Sequence, residues 1–202
     1  MLVTPYWMGE EEEEKGGGDG GGLVKRLLKT RSLLVSEVVT DKLARKVMAQ
    51  LLILQEDDPK LPITVYVNSP GGSADSGFAI YDLLRYVKPP VRSVCSGLCA
   101  SAAVLIYLAA KKERRFSLPH SRFLLHQPST QLFGSASDVS INAEEIVRLR
   151  RRYNEIVSAE TGRSVDQCTQ DADRDFWLSS SQALEYGLVN KVITNFTEME
   201  KG

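Results

Sequence analysis

Two short apolar runs in this chain each lead through a glycine-containing turn into a helical segment, and this repeated order restricts the fold. Residues 63–68 precede the turn 69–72, and residues 91–94 precede the turn 97–103. Further along the chain, β-rich runs continue to alternate with segments whose apolar residues recur at helical spacing. Strands that alternate with helices predict an α/β fold with largely parallel strand pairing.

The expected elements cover the regular part of the chain. Strands are predicted over residues 32–35, 63–68, 91–95, 122–126, 176–178 and 188–193. Helices are predicted over residues 23–29, 41–54, 74–87, 101–112, 138–161, 164–172 and 182–186. Lys111 and Lys112 are expected to close the fourth helix, because cations are favourable near a helix C-terminus. Gly162 and Gly187 are expected to end the helices that precede them.

The composition excludes several classes of protein. A chain of 202 residues with a net charge of −1 has no global field that favours nucleic acid or an anionic membrane. It contains neither the roughly 20 consecutive apolar residues of a membrane span nor the pattern of a signal peptide. The odd count of three cysteines argues against a disulfide framework, and no second Cys/His pair completes a zinc site. We therefore expect one domain without metal or cofactor in the cytoplasm, or in the stroma or matrix of an organelle.

The first residues form a separate segment by composition. Five glutamates at positions 10–14 precede glycines at 16–18 and 20–22. Like charges repel and glycine loses the most entropy when ordered, so residues 9–22 are predicted to be mobile. A disordered tail and a flexible gate or docking arm both remain open. The chain thus divides into a flexible segment over 1–22 and a domain over 23–202.

An arginine cluster lies on the longest predicted helix. Glutamates stand among the arginines at helical spacing, which is typical of a solvated face with ion pairs rather than of a nucleic-acid patch. The residues concerned are Arg148, Arg150, Arg151, Arg152, Glu144, Glu145 and Glu155.

Ser101 stands where the second turn enters its helix. Backbone N–H groups at a helix N-terminus are unpaired, so this position suits a nucleophile whose reaction builds an oxyanion beside it. Serine is also a preferred helix N-cap, which gives Ser101 a purely structural interpretation. Whether Ser101 is a nucleophile or only an N-cap depends on its partners. An activated serine needs a base, and the base needs an orienting group.

Candidate partners for Ser101 occur later in the chain. Of the two histidines, His126 ends an apolar strand at the carboxyl edge, where α/β proteins usually form sites, whereas His120 lies in a turn before that strand. Aspartates stand at positions 171, 173 and 175. Asp175 is the best placed of these to orient an imidazole, because it adjoins an apolar strand.

The glycine pair of the first turn supplies a further component of such a site. Paired glycines let backbone N–H groups approach a ligand without interference from a Cβ atom. Because both turns lie between a strand and a helix, the N–H groups of Gly72 and Ala102 are candidates for one oxyanion hole. A plain loop is the alternative, and a phosphate-binding P-loop is excluded because no Lys-Ser/Thr pair follows.

Four motifs occur in a specific order and spacing. They are Asn68-Ser-Pro-Gly-Gly72, Gly97-x-x-Ala-Ser101, Pro119-His-Ser-Arg-x-x-x-His126-Gln-Pro128 and Asp173-Arg-Asp-Phe-Trp-Leu-Ser179. Together they closely resemble the ClpP family of Clp protease proteolytic subunits (peptidase family S14), over about residues 23–195. The resemblance implies a crotonase-like α/β fold, a spiral of strand-strand-helix units with a protruding handle over residues 127–161.

The resemblance also implies roles for the candidate residues. Ser101 is the implied nucleophile, His126 the general base and Asp175 the third member of the triad. Gly72 and Ala102 are the implied oxyanion donors. The implied activity is that of an ATP-independent serine endopeptidase.

The family resemblance extends to assembly. It implies two stacked seven-membered rings that enclose a chamber, with a AAA+ unfoldase that feeds unfolded polypeptide through an axial pore lined by the N-terminal segment. Arg174 and Gly134 are implied at the contact between rings. Tyr66 and Tyr86 are implied in the pocket that docks the unfoldase.

The chain departs from the family pattern at several positions. Ala102 follows the nucleophile where methionine is common, Thr130-Gln131 replaces a glycine pair in the handle, and Thr64 replaces an unfoldase-docking aromatic. These departures, with the acidic N-terminal run, suggest a mixed assembly with a second ClpP-type chain. Two alternatives stay open: a weakly active or non-catalytic ring subunit, and an acyl-CoA enzyme of the same fold family with acidic catalysts.

Overall fold

The computed structural model describes residues 20–129 and 133–199. The helices are α1 Gly20–Lys29, α2 Asp41–Asp57, α3 Ala74–Tyr86, α4 Ala102–Leu108, α5 Ala136–Thr161, α6 Val165–Asp171 and α7 Ser180–Tyr186. The strands are β1 Ser32–Val35, β2 Ile63–Ser69, β3 Val91–Ala100, β4 Arg115–Ser117, β5 Arg122–Leu125, β6 Phe176–Ser179 and β7 Lys191–Val192. Short 3₁₀ helices span Lys112–Arg114 and Phe196–Met199.

The seven strands form one sheet that is parallel except at one edge. Its main path runs β1-β2-β3-β4-β7, with every neighbouring pair parallel. β5 also pairs in parallel with β3, and β6 pairs antiparallel with β5. The predicted α/β class with largely parallel pairing is therefore confirmed.

Strand β3 changes its neighbour half-way along its length. Its first half, through Cys95, pairs with β4, whereas Leu98 to Ala100 pair with β5. Gly97 lies between the halves with a φ of 129°, and a Cβ atom there would lie 2.5 Å from Oδ1 of Asn68. The Asn68 carboxamide instead accepts a hydrogen bond from the Leu98 N–H at 3.0 Å. Glycine at position 97 thus permits the fork that brings β5 beside the end of β3.

The core lies between the sheet and the helices. Strand β2 alternates in burial, with Ile63, Val65 and Val67 fully buried, which is the pattern of a strand with one covered face. Helix α4 is buried along its whole length, because apolar side chains cover all of its faces. This helix fixes the position of the turn that precedes it.

Local capping signals place several helix ends. Gly162 and Gly187 adopt left-handed conformations and end α5 and α7, as predicted. Ser179 forms a capping box with Gln182 at the start of α7. Helix α1 begins at Gly20, three residues before the predicted start, and β1 has the predicted bounds.

Two predicted boundaries around the serine turn are wrong. The strand does not stop at residue 95 but continues to Ala100, because its last residues pair with β5. The following helix ends at Leu108 rather than at residue 112, so Lys111 and Lys112 do not close it. Strand β4 was not predicted, and the last strand, expected over 188–193, is reduced to Lys191–Val192.

A buried arginine explains why α4 ends early. Arg115 is fully buried and donates hydrogen bonds to the carbonyls of Leu108, Ala110 and Glu160, at 3.1, 2.8 and 2.9 Å. Its guanidinium also pairs with the Glu160 carboxylate. Carbonyls at the end of α4 are thus satisfied by a side chain, which links α4 to α5.

Helix α5 leaves the core over most of its length. Its buried residues all lie in its second half, between Tyr153 and Thr161, whereas the first half is largely exposed. The predicted ion-paired face is confirmed by contacts of Arg148 with Glu145 at 2.7 Å and of Arg151 with Glu155 at 2.8 Å. The predicted handle over residues 127–161 includes this exposed half of α5, and its role as a handle stays a prediction.

Some sequence predictions fall on other parts of the chain. The glutamate run at 10–14 and the Thr130-Gln131 departure lie outside the described residues. Within the two described ranges, no helix is both long and apolar enough to cross a membrane. The same residues contain no group of three or more His, Cys, Asp or Glu side chains arranged to hold a metal ion.

Candidate active site

Ser101 occupies the single residue between β3 and α4. Its φ and ψ are 54° and −125°, a positive-φ conformation that costs a non-glycine residue about 1–3 kcal/mol. Its N–H donates to the Leu124 carbonyl of β5 at 2.9 Å. Ser101 is at the N-cap position of α4, but its hydroxyl makes no capping hydrogen bond. An N-capping role therefore does not explain why this position holds a serine. The strained backbone of Ser101 instead ends the extended conformation of β3.

The neighbouring thiol is not a rival nucleophile. Cys99 is fully buried two residues before Ser101, and burial raises the pKa of its thiol well above the ordinary value. A thiol must ionise to attack, so Cys99 remains inert at neutral pH. All three cysteines are buried free thiols.

His126 lies at the adjacent strand end. The β3–β5 register pairs Ala100 with Leu124, so Ser101 and the residues after β5 emerge at the same edge of the sheet. Ser101 and His126 line one cavity of about 580 Å³. His120 stands in the turn before β5, at the other end of that strand. The sheet thus brings one of the two histidines to the serine.

Asp175 reaches the same place from the antiparallel edge. Leu125 of β5 pairs with Phe176 of β6, so the residues just beyond this pair, His126 and Asp175, face each other. Nδ1 of His126 lies 3.8 Å from Oδ1 of Asp175, longer than a hydrogen bond. The side chains are 29% and 66% exposed, respectively. Among the described residues, Ser101 and His126 do not form a hydrogen bond, and such bonds are often long in enzymes without substrate.

The three neighbouring aspartates have different contacts. Asp171 accepts a hydrogen bond from the Tyr186 hydroxyl at 2.8 Å. Asp173 forms an ion pair with Arg150 at 3.2 Å, and its carbonyl accepts from the Gln127 side chain at 2.8 Å. Asp175 is therefore the one of the three that lies beside the imidazole.

Two residues with unpaired backbone N–H groups line the same cavity, counting only partners in the described part of the chain. Gly72 and Ala102 both line it, and within the described part of the chain neither N–H donates to a protein acceptor. Gly72 is held by a parallel bridge to Val39, in which the Val39 N–H donates to the Gly71 carbonyl at 2.8 Å. A developing oxyanion between these turns would meet preorganised donors.

Sequence reasoning missed the apolar wall of the cavity. Helix α5, predicted as a handle, returns over the site and contributes Ile146, Leu149 and Tyr153 to its lining, opposite Phe78 and Leu105. The helical spacing of these residues predicted that one face of α5 is buried. It gave no indication of which part of the protein this face packs against. The Tyr153 hydroxyl also donates to the Ser101 carbonyl at 3.4 Å. These side chains give the cavity an apolar surface for a substrate side chain.

The remaining predicted site residues lie away from this cavity. Arg174 is exposed, and Gly134 has a φ of 141° just before α5. Tyr66 is half-buried against the small apolar cluster of Val94, Phe116, Ile193 and Met199. Tyr86 ends α3 and is 78% exposed. Their implied roles in assembly and docking remain predictions.

A serine hydrolase on an α/β fold has this arrangement. It places a serine, a histidine and an aspartate at neighbouring strand ends, beside two N–H groups without an acceptor among the described residues. The model of the Clp protease family matches residues 16–196. The chain belongs to the Clp protease family and is a ClpP-type proteolytic subunit, as its motifs predicted.

Individual relatives cover nearly the whole chain. It is 44% identical over 177 residues to the ATP-dependent Clp protease proteolytic subunit 2 of Treponema pallidum, covering 88% of this chain and 89% of the relative. It is 45% identical over 178 residues to the subunit of the same name from Borreliella burgdorferi, covering 88% and 90%.

A solved structure has the same fold. A point mutant of ClpP1 from Listeria monocytogenes matches with a TM-score of 0.81 at 41% identity, over 88% of this chain and 99% of that one. The crotonase/ClpP-like fold class predicted from the motifs is thus confirmed.

Proposed function

We propose that this chain is the serine endopeptidase subunit of a ring-shaped Clp-type protease. The observation that carries the proposal is the β3–β5 register, which sets Ser101 and His126 at adjacent strand ends in one cavity. The unpaired N–H groups of Gly72 and Ala102 line that cavity as well. The substrates are unfolded polypeptides and peptides, and peptide-bond cleavage itself does not consume ATP.

The proposed reaction runs through an acyl-enzyme. His126 removes the proton from the Ser101 hydroxyl, whose oxygen attacks the carbonyl carbon of the peptide bond. The carbonyl electron pair moves to oxygen, where the N–H groups of Gly72 and Ala102 stabilise the charge. The C–N bond then breaks as His126 returns the proton to the leaving amine. Water, activated by His126, hydrolyses the ester and regenerates Ser101.

Asp175 orients the imidazole in this mechanism. Its separation of 3.8 Å from His126 requires a small approach, for which both partly exposed side chains have room. A carboxylate hydrogen-bonded to Nδ1 fixes the tautomer whose Nε2 faces the serine and stabilises the imidazolium that forms.

The proposed assembly consists of seven-membered rings stacked in pairs, alone or mixed with a second ClpP-type chain, in the cytoplasm. The protruding half of α5, with Gly134 and Arg174, forms the contact between rings. Tyr66 and Tyr86 belong to the surface that docks a AAA+ unfoldase. Tyr86 and the first half of α5 are both exposed, which leaves these surfaces free to make the two contacts.

A fluorophosphonate probe and a fluorogenic peptide test the proposal. The purified chain should acquire one label, located at Ser101 by mass spectrometry, and should cleave the peptide. Ser101→Ala should abolish both signals. Ser129→Ala is the matched control, because Ser129 lines the same cavity and is exposed. Cleavage that survives in Ser101→Ala would overturn the mechanism.

A second candidate function is a ring subunit with an idle site that tunes an active second chain. The long His126–Asp175 separation and the lack of a Ser101–His126 hydrogen bond among the described residues favour it. The same probe separates the two candidates. Labelling of Ser101, in the isolated chain or after co-expression with the second chain, supports the peptidase, and no labelling in either state supports the idle subunit.

A further inference from the structure

The candidate active-site cavity carries negative charge in addition to its apolar wall. Two carboxylates line it, from Asp75 at the start of α3 and from Glu145 in α5. Both residues are exposed, so their carboxylates lie at the open side of the cavity rather than in its apolar interior. Among the described residues, no lysine or arginine lines this cavity. A cationic group that enters it therefore meets only carboxylates.

The Asp75 carboxylate has no partner in the described part of the chain. It forms no ion pair there and accepts no hydrogen bond. The Asp41 carboxylate, which stands in the first turn of α2, instead accepts a hydrogen bond from the Ser76 hydroxyl at 2.6 Å. The charge of Asp75 is thus free to act on a ligand in the cavity.

Glu145 contributes less negative charge to the cavity, because cations stand beside it. Its carboxylate lies 2.7 Å from Nε of Arg148 in an exposed ion pair. Arg152, one turn further along α5, lies 5.3 Å from the centroid of the Phe78 ring. Neither arginine lines the cavity, and neither forms an ion pair with Asp75. Asp75 is therefore the carboxylate with the largest uncompensated charge at this site.

Asp75 is connected to the reacting groups by a short stretch of chain. It follows the candidate oxyanion donor Gly72 by three residues, so their α-carbons are at most roughly 11 Å apart. The Ser73 hydroxyl caps α3 by accepting from the Ser76 N–H at 3.2 Å, which fixes the helical turn that carries Asp75. The carboxylate thus keeps a defined place relative to Ser101, within reach of a long substrate side chain.

The helix dipole offers a purely structural explanation of Asp75. A carboxylate in the first turn of a helix is stabilised by the partial positive charge of the N-terminus. That effect stabilises α3 whether or not a substrate is bound. It does not predict that substrates of different charge are treated differently, so substrate selection separates the two roles.

We propose that Asp75 determines specificity in the proposed peptidase, by selecting a basic side chain beside the cleaved bond and disfavouring an acidic one. This inference rests on the proposed function of the site. The apolar wall of Phe78, Leu105 and Leu149 packs against the methylene stem of a lysine, whose ammonium group meets Asp75. A glutamate side chain meets the same carboxylate with a like charge, which is unfavourable. The cavity of about 580 Å³ has room for either side chain.

Three fluorogenic peptides that differ in one residue test the proposal on the full chain. The residue before the fluorophore is lysine, glutamate or norleucine, which has the carbon stem of lysine without its charge. The unmodified chain should cleave the lysine peptide with a kcat/KM at least about tenfold above that of the glutamate peptide. Asp75→Asn should lower the lysine-to-norleucine ratio of kcat/KM about fivefold, and Asp75→Glu should keep most of the ratio. Asp75→Lys should reverse the preference between lysine and glutamate.

Further variants show whether the effect belongs to Asp75. Asp82→Asn removes an exposed carboxylate of the same helix that does not line the cavity, and it should leave the ratios unchanged. Glu145→Gln should change them less than Asp75→Asn does, because Arg148 already offsets that charge. Raising the salt from about 0.05 to about 0.5 M should reduce the preference for lysine. An equal loss in Asp75→Asn and Asp82→Asn would assign the effect to net charge and overturn the proposal.

A binding measurement separates this inference from the proposed function. In the Ser101→Ala background, fluorescence anisotropy of the same peptides with an amino-terminal label measures affinity without cleavage. The lysine peptide should bind more tightly than the glutamate peptide, and adding Asp75→Asn should reduce the difference about fivefold. If this holds but the unmodified chain cleaves none of the peptides, the peptidase is wrong and the charge selection stands. If the peptides are cleaved with ratios that Asp75→Asn does not change, the peptidase stands and this inference is wrong.

Discussion

The α-carbon of Gly71 lies directly against the side chain of Ser101. A Cβ atom at position 71 would lie 2.6 Å from the Cβ of Ser101 and 2.6 Å from the Ala100 carbonyl oxygen. Real Cβ atoms do not approach other heavy atoms so closely, so the turn after β2 and the turn after β3 fit together only without a side chain at 71. The two turns that carry the candidate oxyanion donors are therefore one packed unit.

Gly71→Ala should disrupt this unit. The clash displaces Ser101 relative to the N–H of Gly72, so kcat/KM for a fluorogenic peptide should fall about a hundredfold or more. Gly162→Ala is the matched control, because its φ of 82° is close to the 89° of Gly71 but nothing lies within 4 Å of an added Cβ. The control should cost about 1–2 kcal/mol of stability and no activity. Equal activity of both variants would contradict the packed turns.

Asp175→Asn should lower kcat by about a thousandfold to ten-thousandfold, because an amide cannot hold the imidazole tautomer that accepts the serine proton. The loss is measured with a peptide substrate at saturating concentration. Asp171→Asn is the control, since that carboxylate contacts the Tyr186 hydroxyl rather than His126. A similar loss in both variants would show that the aspartates act through the fold and not through the imidazole.

Glu160→Gln should destabilise the protein by about 3 kcal/mol or more, because it leaves the fully buried Arg115 guanidinium without its counter-charge. The thermal midpoint should fall by roughly 6 °C or more. Glu144→Gln, at an exposed ion pair of 3.9 Å with Arg148, should change the free energy of unfolding by less than about 1 kcal/mol. Equal midpoints for the two variants would show that the buried pair is dispensable.

Stability should decline steeply at alkaline pH. Burial raises the pKa of Tyr107, Tyr153 and Tyr186, so these phenols stay protonated in the folded protein while those of the unfolded chain ionise above pH about 10. Their contribution to the free energy of unfolding is complete below that pH. It is lost as the pH rises towards the pKa values of the phenols in the folded protein. Each phenol contributes about 1.4 kcal/mol per pH unit to the fall in the free energy of unfolding.

Tyr107→Phe isolates one of these contributions. Urea titrations at pH 7, 9, 10 and 11 should show a shallower alkaline decline, by about 1.4 kcal/mol per pH unit above pH 10. At pH 7 the variant should lose only the hydrogen bond from Tyr107 to the Phe116 carbonyl, about 1 kcal/mol. If the free energy of unfolding falls equally with pH in the variant and in the unmodified protein, Tyr107 does not contribute to the alkaline decline.

Local signals explain why much of the fold could be predicted from the sequence. Helices α5 and α7 end at Gly162 and Gly187, and these ends depend on residues within one or two turns. The same is true of the bounds of β1. The carboxyl-edge position of His126 also follows from its own strand. The proposed chemistry of the site depended on four separate motifs taken together, because Ser101 alone was better explained as a helix N-cap.

Contacts between distant residues explain what could not be predicted. Strand β3 continues past residue 95 because β5 pairs with it, and no residue near 95 signals that pairing. Helix α4 ends at Leu108, although alanines follow, because Arg115 and Glu160 form a network that joins residues far apart in the chain. Ile146 and Leu149 of α5 line the cavity together with residues that are far away in the sequence, so this contact could not be predicted from local signals either.

The antiparallel pairing of β5 with β6 has a consequence for the order of folding. His126 and Asp175 meet only when the chain closes a loop over residues 126–175, which contains α5 and α6. Ser101 and His126 are joined by a much shorter connection and can meet earlier, since closure entropy and folding time grow with contact separation. During refolding, serine and histidine should therefore come together before the aspartate arrives, and peptidase activity should lag behind formation of the parallel sheet.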